Sequence, residues 1–376
     1  MPDHPVEVTA AELAERTILR KDLVADTRAF IDTKIPGSEG KINYPLIGPG
    51  VSENAEQVIP ITAPHGFNLG AAAMPAGVTN NLHLHFTAEV FVCMAGEWLF
   101  RWGADGRDGT LTVRPGDVIS IPTWVFRGFT SVGSDDAFLF TVLGRDRSGG
   151  LIWAPSVLAK AAEHGLFLTA DNRLVETEPG VFPCGVELKR PLTEEQLAAL
   201  PRVGVDEMRH RLAAPADLRW SAAPFLDSRL ETGGAELAAV IGYGVTEDRD
   251  QAPRLADPHG FSLAKLRAAP GRGVSTHRIQ ESQVLIVTSG RWRITLNRSN
   301  PVSTEIGPYD TVSIPVGAWR RFESVGEEPG EAVVVTGGDG RARLEWDPSV
   351  VAAAREHGMV IDPNGYVADA SFLHLT

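Results

Sequence analysis

The stretch Gly77 to Gly96, G-V-T-N-N-L-H-L-H-F-T-A-E-V-F-V-C-M-A-G, decides how the rest of the chain is read. Side chains two apart on a β-strand share a face, so His83 and His85 project together, their Cβ atoms roughly 7 Å apart at about 3.3 Å rise per residue. Two imidazoles placed in this way can close on one ion. Four residues beyond His85, after a short turn, Glu89 is expected to enter the neighbouring antiparallel strand on the same face and complete a set of two nitrogens and one oxygen. Such a set suits a divalent first-row metal, and two His with one carboxylate and open positions is the arrangement of non-haem Fe(II) oxygen chemistry.

The spacing Gly77, five residues, His83-x-His85, three residues, Glu89, six residues, Gly96 resembles the first motif of the cupin superfamily at every fixed position. Pro115-Gly116-Asp117 followed by Ile119-Ser120-Ile121-Pro122 resembles the start of the second cupin motif. Five residues after Pro122, where cupins place a third metal-binding His, this chain has Arg127. A guanidinium carries no lone pair to donate, so any ion has three protein ligands from this set: His83, His85 and Glu89.

The chain is 376 residues long, with a formal charge of −13 and no basic cluster. That length suits two domains, and that charge makes nucleic acid or an anionic membrane an unfavourable partner. The start, M-P-D-H-P-V-E-V-T, lacks a cationic opening and an apolar core, and no apolar run approaches the roughly 20 residues needed to span a bilayer. Two cysteines, Cys93 and Cys184, fit a reduced, cytoplasmic protein. Cys93 shares the inward parity of Glu89 and Phe91 and reads best as a small buried hydrophobe.

Internal repetition is the most informative feature beyond the motif. His65-Gly66-Phe67-Asn68-Leu69 returns as His259-Gly260-Phe261-Ser262-Leu263, a shift of 194. Trp153-Ala154-Pro155-Ser156-Val157 returns as Trp346-Asp347-Pro348-Ser349-Val350, a shift of 193. One unit has been duplicated. Within it, short apolar runs at 68–74, 90–94, 98–102, 118–121 and 138–143 are punctuated by Gly, Pro, Asn and Asp, the signature of an all-β sandwich or barrel. Thr9-x-x-Glu12 and Thr193-Glu194-Glu195-Gln196 predict capped helices, and 155–164 and its copy after Asp347-Pro348 predict two more. Prolines at 179, 183, 191 and 201 place the joint between halves near 190. Together with the resemblance, this implies an all-β chain of two tandem cupin (double-stranded β-helix, or jelly-roll) barrels with short flanking helices, 1–190 and 191–376.

A duplicated chain supplies its own comparison. At the second copy of the motif His277 matches His83, but Ile279 stands for His85 and Gln283 for Glu89, so the C-terminal barrel is expected to hold no metal. His65 has a counterpart in His259 and reads as a structural hydrogen-bonding residue; His164 and His357, at helix ends, suit the negative end of the helix dipole. Arg127 has a counterpart in Arg320, so a shared salt bridge in the barrel wall competes with a catalytic role. Trp98, Phe100 and Trp102 alternate along one face of a strand. Taken with Phe91 they are either barrel core or the apolar wall of a substrate pocket. The other copy keeps Trp292 but thins to Ile294 and Leu296.

The first functional expectation is a bicupin dioxygenase resembling quercetinases and gentisate-type enzymes, acting on a small phenolic, enolic or carboxylated compound. The resemblance implies Fe(II) as cofactor, with Mn, Ni, Co or Zn as alternatives. His83, His85 and Glu89 would be ligands, Arg127 would hold a substrate anion, Glu89 would serve as ligand or base, and a homo-oligomer is compatible with the layout. Two other expectations stand beside it: a metal-dependent isomerase, lyase or decarboxylase using the ion as a Lewis acid, and a non-catalytic binding protein.

Overall fold

The computed structural model describes residues 6–372. Contacts divide the chain into two compact units, one of Val24–Pro215 and one joining the segment through Leu23 to Ala216 and beyond. The expected strands are found as Phe67–Met74, Glu89–Ala95, Trp98–Trp102, Val118–Ile121 and Ala137–Gly144. Arg127–Ser131 adds a strand that its Arg-Gly-Phe-Thr-Ser sequence signals weakly.

In the first unit these strands form two antiparallel sheets. One runs, in spatial order, Leu212–Ala213, Val118–Ile121, Glu89–Ala95, Ala137–Gly144, Phe67–Met74, Ile42–Ile47; the other runs Leu151–Trp153, Thr79–His85, Arg127–Ser131, Trp98–Trp102, Gly109–Val113. Alternation along Thr79–His85 sorts its side chains. Leu82 and Leu84 pack outward with Val157 and Ala161 of the helix Pro155–Glu163, each such burial contributing about 1.5–3 kcal/mol. That packing leaves His83 and His85 on the opposite, inner face. The two glycines that frame the motif both adopt a left-handed backbone, Gly77 at φ 81° and Gly96 at φ 74°. A Cβ on Gly96 would also come within 2.4 Å of Ala137 Cβ, so this turn admits no side chain.

The expected joint near residue 190 lies inside the first unit. Capped by Thr193 as expected, the helix Glu194–Ala198 is followed by a second, Val205–His210, which buries Met208 with Val203 against Trp102 and Val113. Trp102 Nε1 donates to Val203 O at 2.8 Å. The chain then adds Leu212–Ala213 as an edge strand on Val118–Ile121, where it covers exposed backbone donors and acceptors. The other unit repeats this device. The helix Ala10–Glu15, with its Thr9–Glu12 capping box, buries Leu13, and Thr17–Ile18 pairs with Val312 and Thr311. Among the described residues no helix is long and apolar enough to cross a membrane.

Candidate metal centre

The two imidazoles and the carboxylate come from different sheets. Thr79–His85 pairs with Arg127–Ser131 and Leu151–Trp153, whereas Glu89–Ala95 pairs with Ala137–Gly144 and Val118–Ile121. The expectation that Glu89 sits on the adjacent strand is therefore corrected. The residues between His85 and Glu89 carry the chain from one sheet to the other, and the triangle closes across the barrel interior. One ligating atom from each of His83, His85 and Glu89 lies within 4.8 Å of the others. All three side chains are buried.

His83 Nδ1 lies 2.7 Å from the Asn81 carbonyl oxygen. A carbonyl only accepts, so Nδ1 carries the proton and Nε2 keeps its lone pair for a ligand. Burial, reinforced by His85 and Arg127, holds the His83 imidazole well below its ordinary pKa, and burial likewise lowers His85. Both rings are neutral at pH 7, the state a metal requires. Burial pushes the Glu89 carboxyl up, but His85 and Arg127 more than offset this and leave it below the ordinary value, ionised. Arg127 Nε stands 3.4 Å from Glu89 Oε2, and His85 Nε2 stands 3.3 Å from the same oxygen.

Hydrogen-bond satisfaction separates this centre from its copy. Both ring nitrogens of His85, Glu89 Oε2 and all three guanidinium nitrogens of Arg127 are buried without a well-formed hydrogen bond, and the charge contacts among them stay at 3.3 and 3.4 Å. Such groups cost about 1–3 kcal/mol each when left unpaired. In the other unit Arg320 Nε donates to Ala318 O at 3.0 Å, Nη1 to Gln283 Oε1 at 3.2 Å, and Nη2 to Pro315 O at 3.0 Å. Ile279, in place of His85, joins a continuous apolar core with Leu266, Leu285 and Val334. The arginine is thus satisfied where the triad is missing, whereas convergent lone pairs remain where the triad is present. The donor set of the first barrel fits a divalent cation.

A cavity open to solvent reaches this centre and is lined by His83, His85 and Glu89 together with Lys41, Asn80, Phe129 and Trp153. Its floor is set by small side chains. Gly70, Ala72 and Thr141 line it, while the corresponding residues of the other copy, Ala264, Leu266 and Val334, are core. One barrel has been hollowed and the other filled.

The sequence-predicted site residues are only partly brought together. Phe91, Trp98, Phe100 and Trp102 do share an inner face, but they form a core cluster with Val113, Ile119 and Phe129, Phe91 meeting Phe100 at 5.0 Å and Phe129 at 5.2 Å. The rings fill their end of the barrel by packing on one another. Of this aromatic group, Phe129 is the member that reaches the cavity wall. Arg127, fully buried 3.4 Å from Glu89, is not among the lining residues. Cys93 lies in the same core cluster, and His65 repeats the contacts of His259, each backbone N–H donating to an aspartate, Asp146 or Asp339, at 2.7 Å. Sequence reasoning missed Lys41, Asn80 and Asp32. Their signal was the comparison of copies, since the alignment of His277 on His83 also sets Val274 on Asn80, and strand register confirms the match, with Asn80 opposite Phe129 and Val274 opposite Phe322.

No protein-family model and no curated protein matches the chain. Solved structures do. The formate complex of the oxalate decarboxylase of Lactobacillus farciminis is similar over 93% of this chain and 92% of its own, at 15% identity and a TM-score of 0.56. A single-residue variant of Bacillus subtilis oxalate decarboxylase covers 93% of this chain and 82% of its own, at 14% identity and a TM-score of 0.53. A further structure of that enzyme, from work on its Mn(II) centres, covers 90% and 79% at 13% identity and a TM-score of 0.50. The chain has the two-barrel cupin fold. Its neighbours make the expected kinship with quercetinases and gentisate-type enzymes a loose comparison.

Proposed function

We propose that the first barrel is a metal-dependent decarboxylase, or related lyase, of a small organic acid, with Mn(II) as the ion to test first. The observation that carries this is the set of buried atoms without well-formed hydrogen bonds on His85, Glu89 and Arg127 beside a cavity, present in one copy of a duplicated fold, whereas the arginine of the other copy is fully hydrogen-bonded. The neighbours with this fold, oxalate decarboxylases with Mn(II) centres among them, support this reading over the dioxygenase one.

His83, His85 and Glu89 would hold the ion, and a bound divalent ion supplies Lewis acidity that stabilises negative charge developing on a substrate oxygen. The chain's own residues do the rest. The Asn81 carbonyl fixes the His83 tautomer, and His85 together with Arg127, 3.4 Å away, keeps Glu89 ionised. Phe129, Trp153 and Leu143 give the cavity apolar walls, which strengthen every charge interaction within it.

The test begins with elemental analysis of protein purified without added metal, with His83→Ala as control. Protein reloaded with Mn(II) or Fe(II) is then offered oxalate and other small acids while carbon dioxide release and oxygen uptake are followed together. The expected result is a metal content that His83→Ala abolishes, and carbon dioxide release without matching oxygen uptake. Stoichiometric oxygen consumption by the Fe(II) form would return the dioxygenase reading to first place.

A further inference from the structure

Beyond the three ligating side chains, the cavity holds one buried cation. Lys41, only 7% exposed, lines the cavity that reaches His83. Its ammonium is paired with Asp32 and donates to Asn80 Oδ1 at 2.9 Å. Asp32 in turn accepts from the Asn81 backbone and side-chain amides through its other oxygen, both at 3.0 Å. An ammonium has three donors. Two are used here, and the group lies 5.1 Å from the Phe30 ring centroid and 5.8 Å from that of Trp153. The His83 ring is 5.4 Å from the same Trp153 ring, so lysine and triad flank one indole on the cavity wall.

A purely structural salt bridge is the competing explanation, and the second copy argues against it. Asp227 occupies the place of Asp32 and performs the same task, accepting the Ser275 backbone N–H at 2.6 Å as Asp32 accepts that of Asn81. Yet Ala235 stands where Lys41 would be and Val274 where Asn80 would be, and both are core. The aspartate therefore anchors its loop without a lysine, and Asp227 Oδ1 is simply left unpaired. Lysine and asparagine occur together only in the copy that carries the two His and the Glu.

We infer that Lys41, held by Asp32 and Asn80, is an anchoring site for a second carboxylate of the substrate, whose first carboxylate lies at the triad. The inference rests on the proposed metal-dependent function and deepens it: the ligand class is a dicarboxylate long enough to reach from the triad to Lys41. The Asp32 carboxylate offsets the cost of burying the ammonium, and the remaining N–H supplies a charge-assisted hydrogen bond to the far end of the ligand.

The test is calorimetric titration of Mn(II)-loaded protein with acetate, oxalate, malonate, succinate and glutarate. The wild type is expected to bind at least one of the three longer dicarboxylates tenfold or more tightly than acetate. Lys41→Ala, which installs the residue of the second copy, should erase that advantage while leaving Mn(II) content and acetate affinity within twofold. Asn80→Val should weaken the favoured dicarboxylate at least threefold, and it serves as the deciding variant if circular dichroism shows Lys41→Ala to be unfolded. Unchanged dicarboxylate affinity in the folded variants, or a wild type that prefers none of the longer acids to acetate, overturns the inference. Failure of the wild type to take up Mn(II) instead defeats the metal reading, and the same titrations on metal-free protein still report whether Lys41 binds a carboxylate.

Discussion

Replacing His85 with Ile, its counterpart in the second barrel, should change stability in opposite directions with and without metal. In the metal-free protein His85 buries two ring nitrogens without a well-formed hydrogen bond, Nε2 only approaching Glu89 Oε2 at 3.3 Å, beside the positive charge of Arg127. Removing an unpaired buried polar group recovers about 1–3 kcal/mol. Isoleucine is tolerated at this place in the fold, since Ile279 is 1% exposed within a continuous core. The Glu89–Arg127 ion pair at 3.4 Å survives the change, so no buried charge loses its partner. His85→Ile should therefore be more stable than the wild type by about 1–3 kcal/mol in EDTA. With Mn(II) at a thousand times its dissociation constant, the wild type gains about 4 kcal/mol and the variant nothing, so the order reverses. Urea denaturation followed by tryptophan fluorescence, in EDTA and in Mn(II), reads both limbs. A variant less stable than the wild type in EDTA would show that His85 is an ordinary core residue. Equal stabilisation of both proteins by Mn(II) would place the ion elsewhere.

Three other outcomes are expected. Ala72→Leu, which imports Leu266 into the hollow barrel, should abolish binding of the longer dicarboxylates in calorimetry while Mn(II) content stays at the wild-type level, because Ala72 lines the cavity away from the triad's own strands. Burial, with Arg320 beside it, pushes His277 down to about 3, so it folds neutral; its contribution is complete above the unfolded value near 6.5 and is lost as pH falls below it. Between pH 7 and pH 5 that loss is about 2 kcal/mol, and His277→Gln should flatten the pH dependence of unfolding by this amount, an unchanged slope being the contrary result. Met208→Ala, truncating a fully buried side chain, should cost the first unit about 2–5 kcal/mol in denaturant titration, whereas a cost below 1 kcal/mol would mean that the segment after residue 190 is not part of its core.

By itself the sequence determined the duplication, the strands and the identity of the three ligand candidates. Alternation of Leu82, His83, Leu84 and His85, the glycines at 77 and 96, and the Thr and Asp caps are signals spanning a few residues, and backbone preferences act over the same range. The loss of two of the three ligand residues from the second copy was legible too, at Ile279 and Gln283. Tertiary structure alone decided which sheet Glu89 joins, since its turn could lead to either, and which end of the barrel is hollow. That end is set by volumes summed over distant residues. Four aromatic rings pack one end solid, while Gly70, Ala72 and Thr141 leave the other open, and no local pattern distinguishes a ring that lines a cavity from a ring that fills one. The arrival of Lys41 beside the His83 strand, and of residues 203–213 on the barrel they follow, likewise depends on long-range strand pairing, in which a side chain's neighbours lie scores of positions away.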